Sequence, residues 1–131
     1  MESFISTVLY FIIAIVMVLI GITIFELMTK KYKDLHEVLN GNRAVSLSIG
    51  GKIIGICIIL SFSVYHASDI LDTVIWGALG ILLQIIAYLL FELFIRKFSV
   101  EEELRNGNIS VGVISFCVSV GIAFVIGASI S

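Results

Sequence analysis

Few residues in this sequence could do chemistry, and their spacing argues against catalysis. Two histidines, His36 and His66, and two cysteines, Cys57 and Cys117, stand far apart along the chain. No His-Glu-x-x-His, Cys-x-x-Cys, phosphate-loop or Gly-x-Ser-x-Gly pattern is present. Neither an enzyme nor a bound metal or cofactor is expected. What stands out is polarity inside apolar runs. Lys52 sits in Gly-Gly-Lys-Ile-Ile-Gly, Gln84 in Leu-Leu-Gln-Ile-Ile, and Glu26 and Glu92 each in Phe-Glu-Leu. An ammonium, an amide and two carboxylates in such surroundings can form ion pairs, glue helices together or line a path for ions.

These residues need elements able to hold them in lipid. Hydrophobic residues make up 60% of the 131 positions and charged residues only 14%. A soluble domain is typically about 25% charged, so this chain has too much apolar surface to hide from water. Four apolar runs, at 4–25, 44–64, 70–91 and 109–128, approach the roughly 20 residues that a bilayer core demands of a helix. Backbone polar groups in lipid must pair within the segment, and runs this long and unbroken read as helices rather than barrel strands. The first run is read as a retained span. It lacks a basic leader and ends in Thr29-Lys30-Lys31 instead of a small-residue cleavage site. There is no proline, so sharp kinks are not expected. Cys57 and Cys117 both fall inside spans and read as small buried residues with no disulfide framework.

Charge orients the chain. Seven of the eight basic residues lie in or beside the connections after the first and third spans, and Lys52 is the eighth. Short loops rich in Lys and Arg stay in the cytoplasm. Residues 30–43 and 96–108 are thus expected inside, and both termini outside. The expected location is a plasma membrane, with the lipid bilayer as partner and no nucleic acid.

The chain repeats itself at an offset of 66. Asn40, Gly41 and Asn42 return as Asn106, Gly107 and Asn108, Glu37 as Glu103, and Phe25-Glu26-Leu27 as Phe91-Glu92-Leu93. Between residues 25–56 and 91–122, 11 of 32 pairs are identical without a gap. The reading is one membrane domain over 1–131, built from repeats 1–66 and 67–131. Each repeat holds two spans, so both copies have the same orientation. That implies a rotation of near 180° about an axis along the membrane normal.

The repeated tripeptide has a local explanation. Gly41 and Gly107 can take positive φ where a helix ends, and Asn42 and Asn108 can cap the span that follows. A polar ring at a pore mouth is the functional alternative. Asp34 to Glu37 and Ser99 to Glu102 resemble capping boxes, which predicts a short interfacial helix before each turn; unbroken extension of spans one and three competes with it. Asp69 and Asp72 read as the cap and first-turn acid of span three, or as an outer cation site.

Inside the spans, Gly51 and Gly55 form a small-xxx-small pair, matched by Cys117 and Gly121 at the repeat offset. Such residues let helices approach closely. Spans two and four are therefore expected as the crowded inner pair, with spans one and three facing lipid. Lys52 lies about 12 Å inside Ala44, where a cation costs about 2.5–3.5 kcal/mol. It can pair with Glu26 or Glu92, snorkel to the cytoplasmic surface, or serve transport. Its repeat counterpart is Val118, so no such site is two-fold. Gln84 reads as helix–helix glue or as a solute ligand.

The Asn-Gly-Asn-x-Ala start of span two, Gly50-Gly51, Trp76-Gly77 and the Gln84…Tyr88 pair resemble the domain-of-unknown-function 350 family of YjfL-like small bacterial membrane proteins. The resemblance covers the whole chain. It differs in lacking the proline often found near the cytoplasmic ends of spans one and three, and in its tail. It implies a four-span membrane protein and supplies no reaction or functional residues. Two classes remain. One is a homo-oligomeric small channel or transporter-like subunit. The other is a membrane scaffold or accessory subunit, with a membrane or cytoplasmic protein as partner.

Overall fold

A computed structural model describes residues 2–28, 34–94 and 100–130, with side chains for 3–27, 37–91 and 102–130. It is all-helical among those residues. Four long helices, α1 (Glu2–Met28), α3 (Arg43–His66), α4 (Ile70–Phe94) and α6 (Ile109–Ile130), alternate with the short α2 (Asp34–Leu39) and α5 (Val100–Arg105). At 1.5 Å per residue, the shortest of the four, 22 residues long, reaches about 33 Å, enough for a hydrocarbon core of about 30 Å. The junctions from α1 to α2 and from α4 to α5 lie outside the described residues. So do the side chains of Asp34 and Ser99, on which the expected capping boxes rest.

Each short helix is closed by its Asn-Gly-Asn turn. Gly41 has φ +83° and Gly107 +81°, a region that strains any residue with a Cβ. The amides of Gly41 and Asn42 donate to the carbonyls of Val38 and Glu37, and those of Gly107 and Asn108 to Leu104 and Glu103, all at 3.0 Å. Asn42 Oδ1 accepts from the Val45 amide at 3.1 Å and Asn108 Oδ1 from Val111 at 3.4 Å. Each Asn therefore satisfies one of the orphan amides at a helix start. Asn42 does more than its counterpart. Its Nδ2 donates to Glu37 Oε1 at 3.1 Å and, across the molecule, to the carbonyls of Leu104 at 2.8 Å and Arg105 at 3.0 Å. One side chain thus ties the start of α3 to the end of α5, over a small core of Ala44, Val45 and Leu104.

At the opposite end, Asp69 Oδ1 accepts from the Asp72 amide at 2.8 Å, while Asp72 Oδ2 accepts from the Ser68 amide and hydroxyl. Both carboxylates are engaged in starting α4. No cluster of His, Cys, Asp or Glu able to hold a metal occurs among the described residues.

The long helices are nearly apolar all round, so contacts decide which faces are inside. α3 is the most buried span and α1 the least. α3 packs on α1, α4 and α6, most extensively on α6, and the two run in the same direction: Ala44 meets Gly112 at one end and Ile59 meets Ile126 at the other. α1 and α4 also run parallel, with Met17 against Gly77, and Gly21 against Ile81. A core of Met17, Phe25, Ile56, Leu60, Ile81, Ile85 and Tyr88 fills the space among α1, α3 and α4.

Four expectations change here. A Cβ at Gly51 would lie 2.7 Å from Phe116 Cα of α6, so Gly51 and Gly55 do admit a neighbouring helix. Cys117 and Gly121 do not: both are exposed, and nothing lies within 4 Å of a Cβ on Gly121. α6 instead presents Gly112, Ser115, Ser119, Ala123 and Gly127 to the bundle. Second, a two-fold relation between α3 and α6 would make every contact reciprocal. Gly51 against Phe116 would require Gly50 against Cys117, yet Gly50 meets nothing within 4 Å and Cys117 is exposed. The two helices meet through non-equivalent faces. Third, α4 is more buried than α6, because its Gly77, Gly80, Gln84 and Tyr88 face lies in the bundle. Last, both cysteines face outward rather than into the core.

Candidate intramembrane site

Polar side chains gather where α3, α4 and α6 meet. Ser48 and Ser115 are fully buried, and Gln84 and Ser119 are 1% exposed. Helix periodicity explains the gathering. Residues 48, 52 and 55 share one face of α3, 84 and 88 one face of α4, and 115 and 119 one face of α6.

At the level of Ser48 the hydroxyls form a triangle. Tyr88 OH and Ser115 Oγ lie 2.8 Å apart, Ser48 and Ser115 Oγ 3.0 Å, and Ser48 and Tyr88 3.5 Å. About one turn deeper is Lys52, nine residues into α3 and about 13 Å from its start. Lys52 is 4% exposed. Its ammonium stands 4.6 Å from the Tyr88 ring centroid and 5.1 Å from that of Phe25. The two rings meet edge to face at 5.9 Å. One turn further, against Gly55, Gln84 Nε2 donates to the Ser119 carbonyl at 2.8 Å. Among the described residues, three buried atoms find no hydrogen-bond partner: Gln84 Oε1, Ser119 Oγ and, farther along α3, Ser63 Oγ. A file of polar groups therefore runs from the α2/α5 end through Lys52 and beyond it.

Of the two carboxylates expected to pair with Lys52, neither is described beside the ammonium. Glu26 is exposed, and the Glu92 side chain lies outside the described residues. Among the described residues, the ammonium rests on two ring faces. Each desolvated cation–π contact contributes about 2 kcal/mol, so two of them are comparable with an insertion cost of about 2.5–3.5 kcal/mol. The rings make burial tolerable, but they carry no net charge. The hydroxyls of Ser48, Tyr88 and Ser115 stand one turn from the ammonium.

The structure brings Lys52 and Gln84 into one seam, one turn apart along α3, and leaves Glu26 outside it. Asn40, Gly41, Asn42, Asn106, Gly107 and Asn108 lie at the α2/α5 end as turns and caps. Phe25 and Tyr88 were the unforeseen members. Tyr88 is four residues from Gln84 and so shares its face; Phe25 adjoins Glu26, and the charge drew attention from the ring.

Comparison with known proteins places these features in context. The family described as Domain of Unknown Function (DUF350) matches residues 1–130. The UPF0719 transmembrane protein YshE of Bacillus subtilis is 37% identical over 121 residues, 92% of this chain and 90% of that protein. The UPF0719 inner membrane protein YjfL of Escherichia coli is 28% identical over 112 residues, 86% of this chain and 83% of the relative. A UPF0719 transmembrane protein of Aquifex aeolicus is 28% identical over 135 residues, 99% of this chain but 50% of that longer protein. No solved structure matches.

Proposed function

The chain belongs to the DUF350 family of membrane proteins, and from that premise we propose that it is a homo-oligomeric small channel or transporter-like subunit that passes a small anion by Lys52. The observation that carries this reading is the buried Lys52 ammonium, held between Tyr88 and Phe25 without a described carboxylate beside it. An intramembrane charge marks an ion path or a charge partner. Hydroxyls of Ser48, Tyr88 and Ser115 stand one turn away as donors, and the orphan Gln84 and Ser119 atoms offer further polar contacts. In purified, reconstituted protein, chloride or nitrate flux should exceed that of empty liposomes by about tenfold or more, with potassium at background. Absence of flux for all three ions would leave the other reading, a scaffold or accessory subunit. That reading draws on the two ring faces, which make Lys52 tolerable without any ligand.

The same proposal places the protein with both termini outside and the α2/α5 end in the cytoplasm, on the distribution of Lys and Arg. In a cysteine-free background, Ser3→Cys should react with a membrane-impermeant thiol reagent added to whole cells. Reaction only after the cytoplasm is opened would reverse the orientation.

A further inference from the structure

α3 is held in a groove of the second hairpin. Gly77, Gly80 and Gln84 of α4 lie against Leu60, Ile59 and Gly55, while Ala123, Ile126 and Gly127 of α6 lie against Gly55, Ile59 and Phe62. At the repeat offset of 66, those six positions correspond to Phe11, Ala14, Val18, Cys57, Leu60 and Ser61. All six line a groove of about 670 Å³ between α1 and α3 that opens on the surface of the bundle. The first hairpin therefore carries, open, the cleft that the second hairpin fills with α3.

The matching ridge is also open. The α3 face that enters the second hairpin is Ala44, Ser48, Gly51, Gly55 and Ile59, all buried. Its counterparts on α6 are Ser110, Ile114, Cys117, Gly121 and Val125, and all five are exposed. Gly121, a mid-helix glycine of α6 with nothing within 4 Å of a Cβ, lies on that open ridge. The chain thus ends in two different unfilled surfaces whose counterparts fit one another inside it.

We infer that α6 of one copy docks in the α1–α3 groove of the next, repeating the internal contact head to tail. Such a contact uses two different surfaces of each copy, so it propagates around a ring rather than stopping at a dimer. The inference rests on the homo-oligomer part of the proposed function and not on transport. It identifies the occupant as a second copy of this chain because the cleft and the ridge are already seen engaged within one chain. A lipid acyl chain in the groove is the competing occupant and is an outcome of the test.

The internal pair Gly55 and Ala123 fixes the test. The Cβ position of Gly55 lies 3.4 Å from Ala123 Cβ, close to the roughly 3.5–4.5 Å of a disulfide. The corresponding pair between copies is Gly121 of one and Cys57 of the next. In a Cys117→Ser background, Gly121→Cys should crosslink to the native Cys57 under copper–phenanthroline in membranes and give a ladder running past dimer. Cys57 alone, or Gly121→Cys with Cys57→Ala, should give none. The Gly121 site is open within the subunit, so the change leaves the fold intact. A product that stops at dimer with Gly121→Cys alone would show symmetric α6–α6 contact and overturn the inference. Failure to crosslink in protein that native mass spectrometry shows as an oligomer would overturn the interface and leave the oligomer standing. A monomer with lipid retained in native mass spectra would overturn both.

Discussion

Replacing Lys52 with Met is expected to drop anion flux to the background of empty liposomes while leaving the assembly intact. An anion about 6 Å from the ammonium gains about 3 kcal/mol at an effective dielectric of about 20. At about 1.4 kcal/mol per decade, loss of that charge removes roughly two orders of magnitude. Stability should move little, because Met fills the same space against Phe25 and Tyr88. The two cation–π contacts that vanish nearly offset the insertion cost that vanishes with them. Lys52→Arg keeps the charge and should keep most of the flux. The decisive measurements are flux in liposomes and thermal unfolding in detergent, on all three proteins. Unchanged flux with a raised melting temperature for Lys52→Met would remove this residue from the transport account and favour the scaffold reading.

The largest effect on the fold is expected one residue before Lys52. Gly51→Leu should prevent α3 and α6 from meeting, at a cost of about 4 kcal/mol or more. A Cβ at Gly51 falls 2.7 Å from Phe116 Cα and 3.1 Å from its carbonyl oxygen. Those are backbone atoms of a neighbouring helix, so no rotamer change relieves the clash. Overpacking by even a methyl typically costs about 1–3 kcal/mol, and Leu adds three carbons beyond it. Gly50→Leu is the internal control. Nothing lies within 4 Å of a Cβ there, and the subunit should fold as before. Circular dichroism of the detergent-solubilised proteins against temperature compares the two. Equal damage from both substitutions would mean that the α3–α6 approach at Gly51 does not govern the region, since Leu is the better helix former at either position.

Much of the fold was legible because lipid permits few solutions. The lengths of the apolar runs gave the four spans, and Asn-Gly-Asn gave the two turns, since positive φ and an amide acceptor are needed at those positions. Two features were not legible, for different reasons. The inward face of α6 was hidden because a helix apolar on every side carries no amphipathic signal. Carrying Gly51 and Gly55 across the repeat then selected Cys117 and Gly121, the face that points away. The setting of Lys52 was half legible. Its depth showed that the charge needs company, but a formal charge directs attention to other formal charges. Phe25 and Tyr88 stabilise it through ring quadrupoles that a count of charges does not register.

Asn42 holds two helix ends in one hand. Its Oδ1 starts α3, and its Nδ2 grips the last carbonyls of α5. Each hydrogen bond contributes about 1 kcal/mol, and α3 continues from that point as an unbroken rod to Lys52 and beyond. Below that modest threshold, α5 and the first turn of α3 shift as a unit. A displacement of the end of α5 would therefore pull on α3 at its first turn rather than leave that helix start untouched. Among the described contacts, Asn108 makes no such cross-link, so the start of α6 is not tied in the same way.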